Sequence, residues 1–281
     1  MNLENHVVVC NWNEKSPELV KELHAEFHSD SPSGWHTIVV VAPNIASFPD
    51  DEAFGDTVLI PGDPGNKLLL ERACVEQAHT IIILPDLRSS NPDDDVLRIA
   101  LTVKSLLWGN GGQAKERTRH TRVVAKIVDA NNAPSFKQTK LTGIHEVICE
   151  GDLGLRVLAQ TSIAPGLTYV LKDLLDYSKK NSELYLTPVP QDWLNPAEPL
   201  DSFQAVTKLA FERAKELETD SGVIPVGYFR LRENGGYDIL VNPKPKQFAE
   251  KGITEVEKND QLLVLAVDGP TAQAFLHGKS G

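Results

Sequence analysis

Short, almost wholly apolar runs alternate with longer amphipathic stretches through the first half of the chain. The runs are His6–Cys10, Thr37–Val41, Thr57–Ile60, Thr80–Leu84, Arg122–Val128 and Glu146–Cys149. Strands buried on both faces need this continuous apolar character, and the gaps between the runs leave room for crossover helices. The pattern predicts an α/β fold, a Rossmann-like, doubly wound parallel sheet of six strands. Helices are expected from Ser16, over Asn66–Val75, over Asp93–Trp108 and over Pro134–Leu141. The first opens with Ser16 as N-cap, Pro17 at the first helical position and Glu18 near the positive end of the helix.

After Cys149 the pattern changes. Gly151–Ile163 and Leu167–Ser178 read as two helices broken by Ala164-Pro165-Gly166, a helix-turn-helix that leaves the sheet. A smaller α+β unit follows, with strands expected at Leu184–Val189, Val223–Arg230, Tyr237–Val241 and Gln261–Val267 and a helix near Ser202–Leu217. The division expected is therefore residues 1–150 as the sheet lobe, 151–182 as crossover helices and 183–281 as a C-terminal lobe.

Charge narrows the partners. Across 281 residues, 28 Lys and Arg face 39 Asp and Glu, a formal charge of −11. That balance opposes broad nucleic-acid or anionic-membrane binding, since either needs a basic face. The basic stretch Lys115–Arg122 is too short to offset it and reads as a loop. Three cysteines, Cys10, Cys74 and Cys149, and no leader-like opening point to a reducing, cytoplasmic setting. No apolar run approaches the roughly 20 residues of a membrane helix, so no direct membrane insertion is expected.

In an open parallel sheet, ligands bind beyond the carboxyl ends of the strands at the switch point. The turn after the first strand is Cys10-Asn11-Trp12-Asn13-Glu14-Lys15-Ser16. A dinucleotide fingerprint would place glycines where Asn11, Asn13 and Ser16 stand. The second strand runs into Ala42-Pro43-Asn44, without the acid that holds a ribose hydroxyl. Both departures weigh against an NAD(P)-dependent oxidoreductase, which stays as the alternative reading. No Ser-His-Asp or Cys-His frame suggests catalysis.

Several segments together resemble the RCK domain, the regulator of potassium conductance, of the TrkA-N and TrkA-C type found in gating rings of prokaryotic potassium or cation channels. They are His6–Asn13, Gly62-Asp63-Pro64, Leu70–Ala78, Arg122–Lys126 and Leu141–Ile148 in the first half. Val223–Arg230, Val241-Asn242-Pro243 and Asn259–Ala266 continue the likeness in the second. The resemblance implies a cytosolic module that couples ligand binding to pore opening and performs no chemistry. It further implies dimers that stack into an octameric ring on the membrane pore domain of a channel. A structural ring that has lost its ligand is a further alternative.

Family members respond to calcium or another divalent cation, or to adenine nucleotides such as ADP, ATP or NAD, and the ligand here is left unknown. For a nucleotide, the candidates are Asn11, Trp12, Asn13 and Ser16 in the turn, with Asp63, Asp86 and Arg88 nearby. In calcium-gated relatives two Glu residues lie on the fifth strand, where this chain has Lys126 and Val128. A rebuilt cation site would draw on Asp86, Asp129 and Asp93 with its neighbours Asp94 and Asp95. His24 and His28, four apart on a helix, could clamp a metal but read better as surface groups. Cys10 and Cys149 are expected to end neighbouring strands. Leu167, Val170, Leu171, Leu174 and Leu175 follow helical spacing on the connector and are candidates for a dimer seam.

Overall fold

The computed structural model describes residues 3–28, 37–108, 121–138, 142–175, 182–194, 200–217, 223–231, 237–251, 253, 255–267 and 271–272. The chain forms two compact units, Met1–Leu167 and Thr168–Gly281.

The first unit contains six parallel strands, β1 (Val7–Cys10), β2 (Ile38–Ala42), β3 (Thr57–Pro61), β4 (Thr80–Ile83), β5 (Arg122–Ile127) and β6 (Glu146–Cys149). Their order is β3-β2-β1-β4-β5-β6, so the chain reverses its direction of travel across the sheet between β1 and β4. Every residue of β1 and β2 is 0% exposed. The helices are α1 (Ser16–His28), α2 (Lys67–Arg72), α3 (Pro92–Trp108), α4 (Ala133–Phe136) and α5 (Glu150–Ile163). Val96, Ile99, Ala100, Val103 and Leu107 form the apolar stripe of α3 and join Val8, Ile81 and Val123 in one core. The other face of the sheet packs separately, with Val7, Val9, Ile38 and Val40 around Val20 and Phe54.

Two helices are shorter than their patterns suggest. The run expected to be helical to Val75 stops at Arg72, because Cys74 takes a left-handed conformation (φ 53) and Val75–Gln77 tightens into a 3₁₀ turn. In place of Pro134–Leu141 stands α4, which ends at Phe136; residues 139–141 lie outside the described set. Most of Lys115–Arg122 and the side chain of His28 lie outside it too.

The second unit opens on α6 (Leu167–Leu175), whose last expected turns, from 176, fall outside the described residues. Its sheet is antiparallel in the order β7-β10-β8-β9, built from β7 (Glu183–Pro188), β8 (Ile224–Leu231), β9 (Tyr237–Val241) and β10 (Gln261–Ala266). Helix α7 (Phe203–Leu217) matches its pattern, while α8 (Pro245–Glu250) had no periodic signal to announce it. Tyr228, Leu240, Leu262 and Val264 share a core with Val206 and Ala210 of α7.

Candidate functional site

The switch point lies at the carboxyl ends of β1 and β4, where the turn 11–16 leads into α1. Asn11 sits at φ 72, the left-handed region that asparagine tolerates better than most side chains. It is buried, and its amide donates to the Leu84 carbonyl at 2.9 Å, tying the turn to the end of β4. Asn13 and Ser16 close the N-terminus of α1 reciprocally. The Asn13 backbone N–H donates to Ser16 Oγ at 2.8 Å, and Asn13 Oδ1 accepts from the Lys15 N–H at 3.0 Å. Asn13 Nδ2 reaches the Pro85 carbonyl at 3.3 Å. Two of the amides that a phosphate would address are thus satisfied within the turn itself.

Trp12 is half-buried against Phe48 and Phe54, with ring centroids 5.4 and 6.4 Å away, and the two phenylalanines stack at 5.6 Å. This aromatic trio joins the first turn, the loop after β2 and the short helix before β3. Phe48 and Phe54 lack any regular spacing in the sequence, so only the folded loops bring them to Trp12.

Asp63 and Asp86 are both engaged. Arg98 on α3 grips Asp63 with two hydrogen bonds of 3.0 and 3.1 Å, and Asp63 Oδ1 also accepts from the Gly65 N–H at 2.8 Å. Partial burial pushes the Asp63 carboxyl up, but Arg98 and Gly65 outweigh it and the net direction is down. Arg88 wraps Asp86, donating from its backbone N–H, Nε and Nη2 at 3.0–3.1 Å, and holds that carboxyl below its ordinary value. Asn44 Nδ2 adds a contact to Asp86 at 3.0 Å, so the loops after β2 and β4 meet at one carboxylate.

Asp93 works differently from a ligand-ready acid. At 7% exposure, it accepts the N–H groups of Val128 and Asp129 at 2.7 and 3.1 Å and Asn132 Nδ2 at 2.7 Å. It staples the start of α3 to the loop after β5. Asp129 in turn accepts from the Asn131 backbone and side chain, both at 2.9 Å. Among the described residues, no three His, Cys, Asp or Glu side chains gather at metal-binding separation, so Asp86, Asp93 and Asp129 do not form one cluster. On β5, Lys126 pairs with Glu150 at the start of α5, and Arg122 with Glu146 of β6.

Two expectations change. Cys10 and Cys149 do not end neighbouring strands, because β4 and β5 lie between β1 and β6, a gap of about 14 Å at ~4.8 Å per strand. Burial pushes the Cys10 thiol up to about 12. His24 is not a surface group: it is buried, with Nε2 3.0 Å from Thr57 Oγ1, linking α1 to β3. The connector residues show no buried position in α5 or α6. Val170 is 54% exposed, and Leu167, Leu171 and Leu174 are half-buried.

Strand order, the switch-point turn and the alternation of strands with helices define a Rossmann-like sheet lobe followed by an antiparallel α+β unit. Residues 2–137 match the family described as "Calcium-activated potassium channel slowpoke-like RCK domain". The sheet lobe is therefore an RCK domain. The fold of "Structure of the human SLO3 gating ring" is similar over 98% of this chain and 46% of that one, with a TM-score of 0.64 and 19% identity. The "Probable ion channel POLLUX" of Arabidopsis thaliana is 25% identical over 95% of this chain and 28% of its own length. "Calcium-gated potassium channel TvoK" of Thermoplasma volcanium is 25% identical over 61% of this chain and 44% of its own. The chain thus spans less than half the length of these curated relatives.

Proposed function

We propose that this chain is a regulatory, non-catalytic domain of a potassium or other cation channel, acting on the cytoplasmic side and coupling an assembly of RCK domains to the pore. The observation that carries this reading is the RCK match across the sheet lobe, extended by ion-channel relatives aligned over 95% of the chain. Gating would work by linkage: a ligand shifts the equilibrium between ring arrangements only by its differential affinity for them.

In this reading residues 1–150 are the sensing lobe, 151–182 the crossover helices and 183–281 the C-terminal lobe. Copies meet through Leu167, Val170, Leu171 and Leu174, and dimers join into a ring. Support comes from the exposure of Leu153, Leu155, Leu158 and Ile163 on α5 and of Tyr169, Val170 and Leu175 on α6, all at least 54%. Helices this apolar bury their stripes against something.

A second reading, a ring without a nucleotide ligand, is favoured by the self-satisfied turn at Asn13–Ser16 and by Trp12 packing on Phe48 and Phe54. Thermal unfolding with calcium, magnesium, NAD, NADH, ADP and ATP, read together with light scattering, separates the two. A ligand at a hundred times its Kd stabilises the native chain by about 2.7 kcal/mol. A shift with one ligand in an oligomer supports the sensing role, and an oligomer without any shift supports the ring alone. A stable monomer would sink both. Replacing Leu171 and Leu174 by Asp should release folded monomer if the seam is placed correctly; insoluble protein would assign those residues to an internal core.

A further inference from the structure

The loops that leave β2 and β4 are tied to each other across the end of β1. Strand order β3-β2-β1-β4 puts β2 and β4 on either side of β1, about 10 Å apart at ~4.8 Å per strand. Each of the two loops opens with a proline, Pro43 after β2 and Pro85 after β4. Leu84, between β4 and its proline, continues the ladder, since its N–H donates to the Cys10 carbonyl at 2.9 Å. A proline fixes its own φ and holds the residue before it extended, so the side chain that follows leaves each strand in a set direction. Those following residues are Asn44 and Asp86, and Asn44 Nδ2 donates to Asp86 Oδ2 at 3.0 Å. The bond therefore crosses the carboxyl end of β1 at the switch point, where an open parallel sheet takes its ligand.

The contact is built both to hold and to part. Arg88 presets the acceptor: its backbone N–H, Nε and Nη2 engage both Asp86 oxygens, which fixes the carboxylate facing Asn44. A hydrogen bond to such a charged acceptor is stronger than a neutral one. Yet Asn44 is exposed and the Arg88 side chain is 62% exposed, so separating the loops leaves no buried group without a partner. The turn beneath is anchored on the β4 side by directional bonds, from Asn11 and Asn13 to the Leu84 and Pro85 carbonyls. On the β2 side it meets the loop through Trp12 on Phe48, an apolar contact without directional demand. We propose that Asn44 and Asp86 latch the switch-point crevice shut, with Arg88 holding the carboxylate in place, and that a ligand enters when this bond parts. This role rests on the reading of the sheet lobe as the sensing lobe. A latch lowers the apparent affinity for a ligand by the fraction of chains that stand open, so its strength sets the concentration at which the lobe responds.

The test uses the full chain with spin labels at Ser47→Cys and Ser90→Cys, exposed positions in the two loops, with Cys74 and Cys149 replaced by Ser and Cys10 left buried. Mixed with an excess of unlabelled chain, so that distances within one molecule are read, the labelled parent should give one narrow distance. Asn44→Ala and Asp86→Ala should each raise the population at longer distances at least about threefold. The double variant should do no more than either alone, because both changes remove the same bond. An unchanged distance in Asn44→Ala, or additive effects in the double variant, overturns the latch. Asn44 is exposed, so its truncation opens no cavity, and that variant decides alone should Asp86→Ala misfold. ADP serves as the probe of access: in equilibrium dialysis Asn44→Ala should bind it at least about threefold more tightly than the parent chain does. Equal affinity, or no binding of ADP to either chain, overturns the guarding role. Light scattering on the same samples reads the oligomer separately, so a failed latch and a failed ring assembly give different results.

Discussion

The two sheets of this protein manage their faces in opposite ways. In the RCK lobe, adjacent residues of a strand point into two different cores: Val8 belongs to the layer with Ile81 and Val96, and Val9 to the layer with Ile38 and Phe54. Crossover helices between parallel strands cover both sides as a consequence of the connection itself. The antiparallel sheet of the second unit needs no crossover helices, and α7 and its neighbours cover one side only. A parallel sheet therefore completes its own burial, whereas the antiparallel one leaves side chains such as Leu184, Ile239 and Val241 exposed.

The largest effect that would sharpen this contrast is expected at Asp260. Only 2% exposed, it accepts Arg230 Nε and Nη2 at 2.8 and 2.7 Å and is bonded to the Tyr228 hydroxyl. Burial, and then Asp260, pushes the Tyr228 phenol up, and the Asp260 contact raises the Arg230 guanidinium. Asp260→Ala removes the buried partner of this network, leaves Arg230 with Glu257 and the Glu255 carbonyl alone, and should cost about 3–5 kcal/mol. Hydrogen exchange should place the loosening in residues 223–267, with the parallel sheet unaffected.

Paired truncations test the faces directly. Ile38→Ala and Ile81→Ala lie on opposite faces of the parallel sheet, both at 0% exposure, and each should cost about 2–5 kcal/mol in urea unfolding. In the antiparallel sheet the faces should differ. Leu262→Ala, at 0% exposure, should cost about as much as they do, while Ile239→Ala, at 50%, should stay within about 0.5 kcal/mol in dilute protein. Equal costs on both faces of the second sheet would show that its open face is already covered within the chain.

A smaller effect than the core truncations concerns pH. Burial holds the His6 imidazole below its ordinary value of 6.5, against a hydrogen bond from Nε2 to the Ala73 carbonyl at 2.8 Å; Nδ1 has no hydrogen-bond partner. The unfolded chain therefore takes up a proton at His6 before the folded one does. Above pH 6.5 this group leaves stability unchanged, and stability falls as the pH drops below that value, by at most about 1.4 kcal/mol per unit. The stability curve of His6→Gln should be flatter between pH 7 and 5. An identical curve would mean that His6 is solvated or paired when charged.

Much of the fold was legible because strands buried on both faces leave a continuous apolar signature. Six such runs correspond to the six strands with end shifts of one residue, and Ser16-Pro17-Glu18 marks the start of α1. The turn at Asn11 was legible as a departure from glycine. Its consequence was not, since the acceptors at Leu84 and Pro85 lie more than 70 residues away in sequence. Arg98 gave no local sign that it would grip Asp63, nor Phe48 that it would reach Trp12. The Cys10–Cys149 expectation failed for the same reason, because strand order is a property of the sheet and not of the spacing along the chain.

What the sequence determined by itself is the class of most elements and the doubly wound sheet lobe they compose, because hydrophobic periodicity and helix caps are local and survive in the linear order of residues. The tertiary structure alone decided that Asp93 is a staple, that Asp63 and Asp86 are already paired, and that one face of the second sheet is bare. Those outcomes depend on which distant groups arrive to satisfy a carboxylate or cover a methyl, and only the assembled layers fix them.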